Sequence, residues 1–123
     1  IFSHESLVDP FENSGEGDWM AREFFSGGMM PSHNLLLYFQ ENLQIEKSWR
    51  LSGTHYEKTS LAWLQKMDKN KNKIIKIFEK TYGPDDSKIW FQRWRIFFMS
   101  CEKLFGYNGG KEWGVSHYRF IKK

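Results

Sequence analysis

Gly53–Asp68, GTHYEKTSLAWLQKMD, decides how the rest of this chain is read. It opens on a glycine suited to a turn and places Thr59 where its hydroxyl can cap a helix. Leu61, Trp63, Leu64 and Met67 follow at helical spacing, so one broad apolar face is expected. Tyr56 falls just before that helix, at the mouth of whatever the helix covers. A tyrosine beside a helix start can equally pack its ring and bond its hydroxyl locally, and spacing alone does not choose. The segments before this stretch read as a sheet edge and those after it as a helical cover, with Tyr56 facing the space between. From the residues alone this is a mixed α/β piece with an aromatic-lined cavity.

Toward the N-terminus, apolar Leu43, Ile45, Trp49 and Leu51 alternate with polar neighbours, which predicts a strand over about 43–52. Before it, HNLLLYFQENL puts Leu35, Leu36, Phe39 and Leu43 on one side of a helix. A short helix through Trp19, Met20, Phe24 and Phe25 is capped by Asp18 and broken by Gly27 and Gly28. Asp9 to Gly17 is an acidic, glycine-containing loop. Residues 1–4, IFSH, read as the tail of a buried strand, with His4 and Glu5 at the end where open α/β sheets place their ligands.

Toward the C-terminus, one long helix is expected from about Ser60 to Thr81, stopped by Gly83 and Pro84. Its Lys66, Lys69, Lys71, Lys73 and Lys76 form a solvated face; the same run also fits peripheral contact with an anionic membrane surface. Asp85, Asp86 and Ser87 cap a helix over Ile89–Phe105 that is apolar almost all round, through Trp90, Trp94, Phe97, Phe98 and Met99. Such a helix is buried on most sides or lines a cavity. Gly106, Asn108, Gly109 and Gly110 end it, and a closing strand follows over about 112–121. The helical cover thus spans about 56–106.

Composition bounds the reading. The 123 residues are 40% hydrophobic and 27% charged, a folding sequence for one domain or part of one. The aromatic share of 18% calls for a large apolar pocket or for surface that a partner covers. A net charge of +3 with dispersed basic residues gives no stripe for nucleic acid. Cys101 is the single cysteine, so no internal disulfide forms, and a free thiol among apolar neighbours fits a reducing, cytoplasmic setting. No apolar run has membrane-span length and no signal-peptide pattern occurs. The chain opens on Ile1, which a piece of something longer explains most simply.

Three ordinary searches for chemistry come back empty. GGMMPS and YNGGKE lack the spacing and context of a phosphate loop. His4, His33, His55 and His117 are scattered and read as surface or capping residues, so no metal site is expected. Cys101 on an apolar helix face reads as a small packed hydrophobe. Trp94 and Phe97 share a helix face three residues apart, which suits a cage for a cation and equally suits core packing.

The runs FFSGGMMPS, LSGTHYEKTSLAWL, RWRIFF and FGYNGGKEWGVSHYRF resemble the C-terminal third of the cyclopropane fatty acid synthase and coclaurine N-methyltransferase-like family of class I S-adenosylmethionine-dependent methyltransferases. The resemblance covers nearly the whole chain, with several motifs in order, and FGYN-G-EW is closer to the plant and plant-like branch. It implies a fold of the α/β class: the C-terminal part of a Rossmann-like methyltransferase sheet with a helical lid over the acceptor. It implies methyl or methylene transfer from S-adenosylmethionine to a lipid alkene or small amine, with this chain supplying the acceptor pocket and inactive by itself.

Residue by residue, the resemblance gives Tyr56 the place of a family tyrosine that helps hold a bicarbonate ion acting as base. Phe2 takes the position whose backbone contributes to that ion site, just after a catalytic histidine upstream of Ile1. Trp94 and Phe97 match aromatics lining the acceptor pocket of the N-methyltransferase branch. The glycine-rich cofactor loop, the acidic ribose residue and the catalytic glutamate and histidine fall outside this chain. A non-catalytic module that holds a lipid or partner helix in the aromatic cavity is the alternative.

Overall fold

The computed structural model describes residues 19–24 and 31–123. The expected strand over 1–4, with His4 and Glu5, the loop over 9–17, the Asp18 cap, Phe25 and the Gly27–Gly28 break all lie outside the described residues, as does Phe2. In chain order the elements are α1 (Trp19–Glu23), β1 (Leu43–Ser52), α2 (Gly53–Lys69), α3 (Lys71–Tyr82), α4 (Ser87–Gly106) and β2 (Gly114–Lys122). A single 3₁₀ turn occupies Leu35–Tyr38, and Tyr107–Gly110 is a turn whose Asn108, Gly109 and Gly110 have positive φ. Helices with a small antiparallel sheet make this an α/β fold.

β1 and β2 pair antiparallel, from Leu43 opposite Lys122 to Ser52 opposite Gly114, with an irregularity between Ile45 and Lys47. β1 then passes into α2 without a loop. Ser52, the last strand residue, is also the cap of α2, its hydroxyl accepting from the Thr54 backbone N–H at 3.3 Å. Thr59 is therefore not the cap. It lies inside the helix and donates to the His55 carbonyl at 2.9 Å, the usual outlet for a mid-helix threonine. Tyr56 correspondingly lies within the first turn of α2 and not ahead of the helix.

The expected single helix over 60–81 is two helices. Asn70 separates them: its backbone N–H and side-chain amide both donate to the Lys66 carbonyl, and its own carbonyl accepts from Lys73 and Ile74. One asparagine thus ends α2 and begins α3, as a side chain that competes for backbone groups is suited to do. Gly83, at φ 89°, ends α3 in a conformation that glycine alone adopts at little strain. The apolar run Leu35–Leu43 does not form its expected helix. Leu37, Tyr38 and Phe39 are exposed, and only one 3₁₀ turn forms before Gln40 donates to the Leu37 carbonyl.

α4 is the central element. α2 packs along one side of it and α3 along another, and the most buried apolar residues, Met67, Phe91 and Cys101, lie on α2 and α4. Asp68 at the end of α2 takes a two-pronged contact from Arg95 of α4, at 2.7 and 3.2 Å. Tyr82 at the end of α3 stacks on Trp90 with centroids 4.3 Å apart and accepts from the Trp94 indole at 3.4 Å. The five lysines from Lys66 to Lys76 are all exposed.

The α2–α4 contact depends on small residues. A Cβ at Gly53 would run into the backbone carbonyls of Trp113 and Phe105, and one at Gly110, φ 74°, into Ser52 and the first amides of α2. Ser60 is fully buried and its hydroxyl has no hydrogen-bond partner among the described residues. Gly53→Ala is expected to lose about 1–3 kcal/mol or more, because backbone cannot yield as a flexible side chain can. Ser60→Ala is expected to be neutral or to gain about 1 kcal/mol, since it removes an unsatisfied buried hydroxyl. Denaturant unfolding of the two variants beside the wild type checks the opposite signs.

Candidate acceptor site

Tyr56 projects from the first turn of α2 toward the end of α4. Its ring meets Phe105 edge-on with centroids 4.5 Å apart and Trp63 of the same helix at 5.8 Å. The ring is half-buried, and its hydroxyl makes no hydrogen bond to the described residues. Burial raises the pKa of this phenol above its ordinary 10.0, and the nearby Cys101 adds to the shift. It is therefore a neutral hydroxyl at physiological pH, able to donate a hydrogen bond to a ligand and unable to act as a base there.

From Trp63 an open groove of about 680 Å³ runs between α2, α3 and α4. Met67, Ile74, Phe78, Trp94 and Phe98 line it, with the amphipathic Lys66 and Asn70 at its side. Trp63 is 44% exposed and Ile77 58% exposed, so this apolar surface is open to a ligand. Phe98 links the two ends, 5.8 Å from Trp63 and 5.8 Å from Trp94.

The structure brings Tyr56 and Trp94 to one continuous aromatic surface, through Trp63 and Phe98. Phe97 touches Trp94 at 5.6 Å and Phe98 at 5.7 Å but turns toward Phe24, which stacks on it at 4.7 Å. Trp63 and Phe98 were not singled out as site residues from sequence. Their signal was present: Phe98 is one turn from Trp94, and Trp63 is two turns from Tyr56. Phe24 carried no such signal, because its contact with α4 spans some seventy residues. His33 is no ligand: it bonds the Ser116 hydroxyl through Nδ1 at 2.5 Å and stacks on Tyr118. Among the described residues no three His, Cys, Asp or Glu side chains converge as a metal site would need.

The chain matches no protein-family model. It is 35% identical over 124 residues to (S)-coclaurine N-methyltransferase of Thalictrum flavum subsp. glaucum, an alignment covering 98% of this chain and 34% of that protein. It is 35% identical to the Papaver somniferum protein of the same name, over 98% of this chain and 35% of that one. Pavine N-methyltransferase of Thalictrum flavum subsp. glaucum is 33% identical over the same shares. A crystal structure of coclaurine N-methyltransferase bound to N-methylheliamine and SAH superposes with a TM-score of 0.71 at 38% identity, covering 79% of this chain and 29% of that one. These N-methyltransferases are homologues of the chain, and its α/β arrangement matches part of their fold. The chain spans about a third of the length of the curated relatives it matches.

The Cys101 thiol, like the Tyr56 phenol, is pushed up by burial, from an ordinary 9.0. Both groups are neutral when protonated, and the folded chain holds both protons more tightly than the unfolded one. Their stabilising effect is complete below the ordinary values and is lost as pH rises through the raised ones. Thermal melts between about pH 8 and about pH 11 are expected to fall in the wild type and to fall less in a Cys101→Ala, Tyr56→Phe double variant.

Proposed function

We propose that the protein carrying this chain transfers a methyl group from S-adenosylmethionine to the nitrogen of a small amine, and that this chain supplies the acceptor side. The observation that carries the reading is the 38% identity to a solved coclaurine N-methyltransferase holding N-methylheliamine and SAH. The relatives named above are N-methyltransferases, which favours an amine and gives a lipid alkene no support. The motif likeness to cyclopropane fatty acid synthases enters as a shared acceptor-side scaffold.

The methyl donor has no cradle among the described residues. Among the described residues a strand runs through glycine into a helix at Ser52–Gly53, and there the space at the glycine is filled by the carbonyls of Trp113 and Phe105. Backbone oxygens at that point repel the donor's carboxylate, so this junction is not a cradle for it. No step of its chemistry is assigned to this chain.

What the chain does is bind and orient the acceptor. An amine nitrogen gains positive charge as it accepts the methyl group, and an aromatic face stabilises a nearby cation by roughly 0.5–2 kcal/mol. Trp94, Trp63 and Phe98 present such faces along the groove. Trp94 is anchored by the hydrogen bond from its indole to Tyr82, so its ring holds one orientation. The Tyr56 hydroxyl, without a hydrogen-bond partner among the described residues, is the polar handle at the end of a largely apolar surface. Phe2 and bicarbonate, joined at the ion site in the family reading, belong to the alkene form of the reaction, where the cationic intermediate must lose a proton to a base; an amine also has a proton to lose, and other groups can take it.

In the complete protein, Trp94→Ala is expected to raise the apparent KM for amine by about tenfold with affinity for S-adenosylmethionine unchanged. Tyr56→Phe is expected to keep stability within about 1–2 kcal/mol. Its turnover should drop by roughly tenfold to a thousandfold if the hydroxyl is an aimed donor. Added bicarbonate should leave that loss in place, whereas recovery by bicarbonate would point back to the ion site. Steady-state kinetics on an amine panel with product mass spectrometry, together with denaturant unfolding of Tyr56→Phe, checks these outcomes.

A further inference from the structure

The angle between Trp94 and Phe97 is occupied by protein. The two rings meet edge to face with centroids 5.6 Å apart, and Phe24 fits into the corner they make. It stacks on Phe97 at 4.7 Å with an interplanar angle of 27°, and it stands edge-on to Trp94 at 4.9 Å. Trp90 closes a third side at 6.1 Å.

Phe24 directly follows α1, and α1 is fastened to α4 by more than this ring. Glu23 pairs with Arg93 at 2.9 Å, and neither side chain is more than 31% exposed. The Arg93 guanidinium lies 4.8 Å over the Trp90 ring, so the ion pair is seated on the aromatic cluster that Phe24 enters. The position of the Phe24 ring is thereby fixed from two directions, by stacking and by the tether one residue away.

We propose that Phe24 is a specificity-determining residue of the acceptor site: its ring fills the Trp94–Phe97 corner, on the side of Trp94 away from the groove, and so denies that volume to a bulky amine. The proposal rests on the amine-acceptor reading given above. With Phe24 in place, one face of Phe97 is taken, and an acceptor reaches Trp94 from the groove side, beside Phe98. The volume behind Trp94 belongs to the Phe24 ring. Shortening that side chain releases the volume to a substituent on the amine, and apolar pockets discriminate even one methylene by about tenfold or more.

The test compares heliamine with a heliamine analogue bearing one added phenyl ring, using the complete protein and its Phe24→Leu, Phe24→Ala and Phe24→Tyr variants. Phe24→Leu is expected to raise kcat/KM for the bulkier amine relative to heliamine by about tenfold, chiefly through KM, with affinity for S-adenosylmethionine unchanged. Phe24→Tyr, which keeps the ring, should keep the wild-type ratio. Should Phe24→Ala fail to fold, Phe24→Leu carries the comparison, with its melting temperature measured alongside. Equal proportional losses on both amines in Phe24→Leu mean that the ring only supports α4, and the proposal is overturned. A wild-type protein that methylates neither amine while binding S-adenosylmethionine overturns the amine reading itself, and this proposal falls with it.

Discussion

The close approach of α2 to α4 is the constraint on which the rest of this structure depends. Helix axes come near each other only where side chains are small, and this contact has Gly53 at one end of α2 and the fully buried Ser60 two turns on. Gly106 contributes from the other side, since a Cβ there would meet the Glu57 side chain. Because these positions give up volume, the large residues on either side of the seam are pushed outward into one layer. That layer is where the aromatic excess of the sequence goes.

The layer is continuous. From Trp113 it passes through Phe105 to Tyr56, Trp63 and Phe98, then through Trp94 and Phe97 to Phe24, Trp90 and Tyr82. Most neighbours in it meet edge to face or tilted, the arrangements that ring quadrupoles favour, each such pair contributing roughly 0.5–1.5 kcal/mol beyond burial. A surface built this way is apolar enough to exclude water and electron-rich enough to tolerate a cation. The Tyr56 hydroxyl is a polar terminus of this layer without a hydrogen-bond partner among the described residues, so the interactions that hold the fold also border the candidate site.

Much of this was legible in the sequence because the signals were local. The alternation of Leu43, Ile45, Trp49 and Leu51 marks β1, and Gly83 with Pro84 marks the end of α3. Trp94 was singled out through the resemblance of RWRIFF, and its ring lies on the groove between α2, α3 and α4. Four features were not legible. Asn70 is polar within a lysine-rich run that gives no apolar break, and only its competing hydrogen bonds show that the helix stops there. Ser52 and Thr59 are both good caps, and the choice of Ser52 follows from Gly53 being clamped between two carbonyls. The apolar stripe at Leu35–Leu43 has helical period yet stays open, because a four-residue 3₁₀ turn is all that forms there. Phe24 reaches α4 only through tertiary structure, which periodicity does not encode.

The loop-free passage from β1 into α2 has a further meaning for how such a chain can vary over time. Ser52 pairs with Gly114 in the sheet and caps the helix in the same breath of backbone, so there is no spare residue between the two tasks. Lengthening the chain by one at that junction would rotate Tyr56 by about 100° around α2, from the aromatic surface onto another face of the helix. Insertions and deletions are therefore excluded between Ser52 and Tyr56, and Gly83 is constrained in the same way by the stack of Tyr82 on Trp90. Divergence in this part of the molecule proceeds by substitution at fixed length.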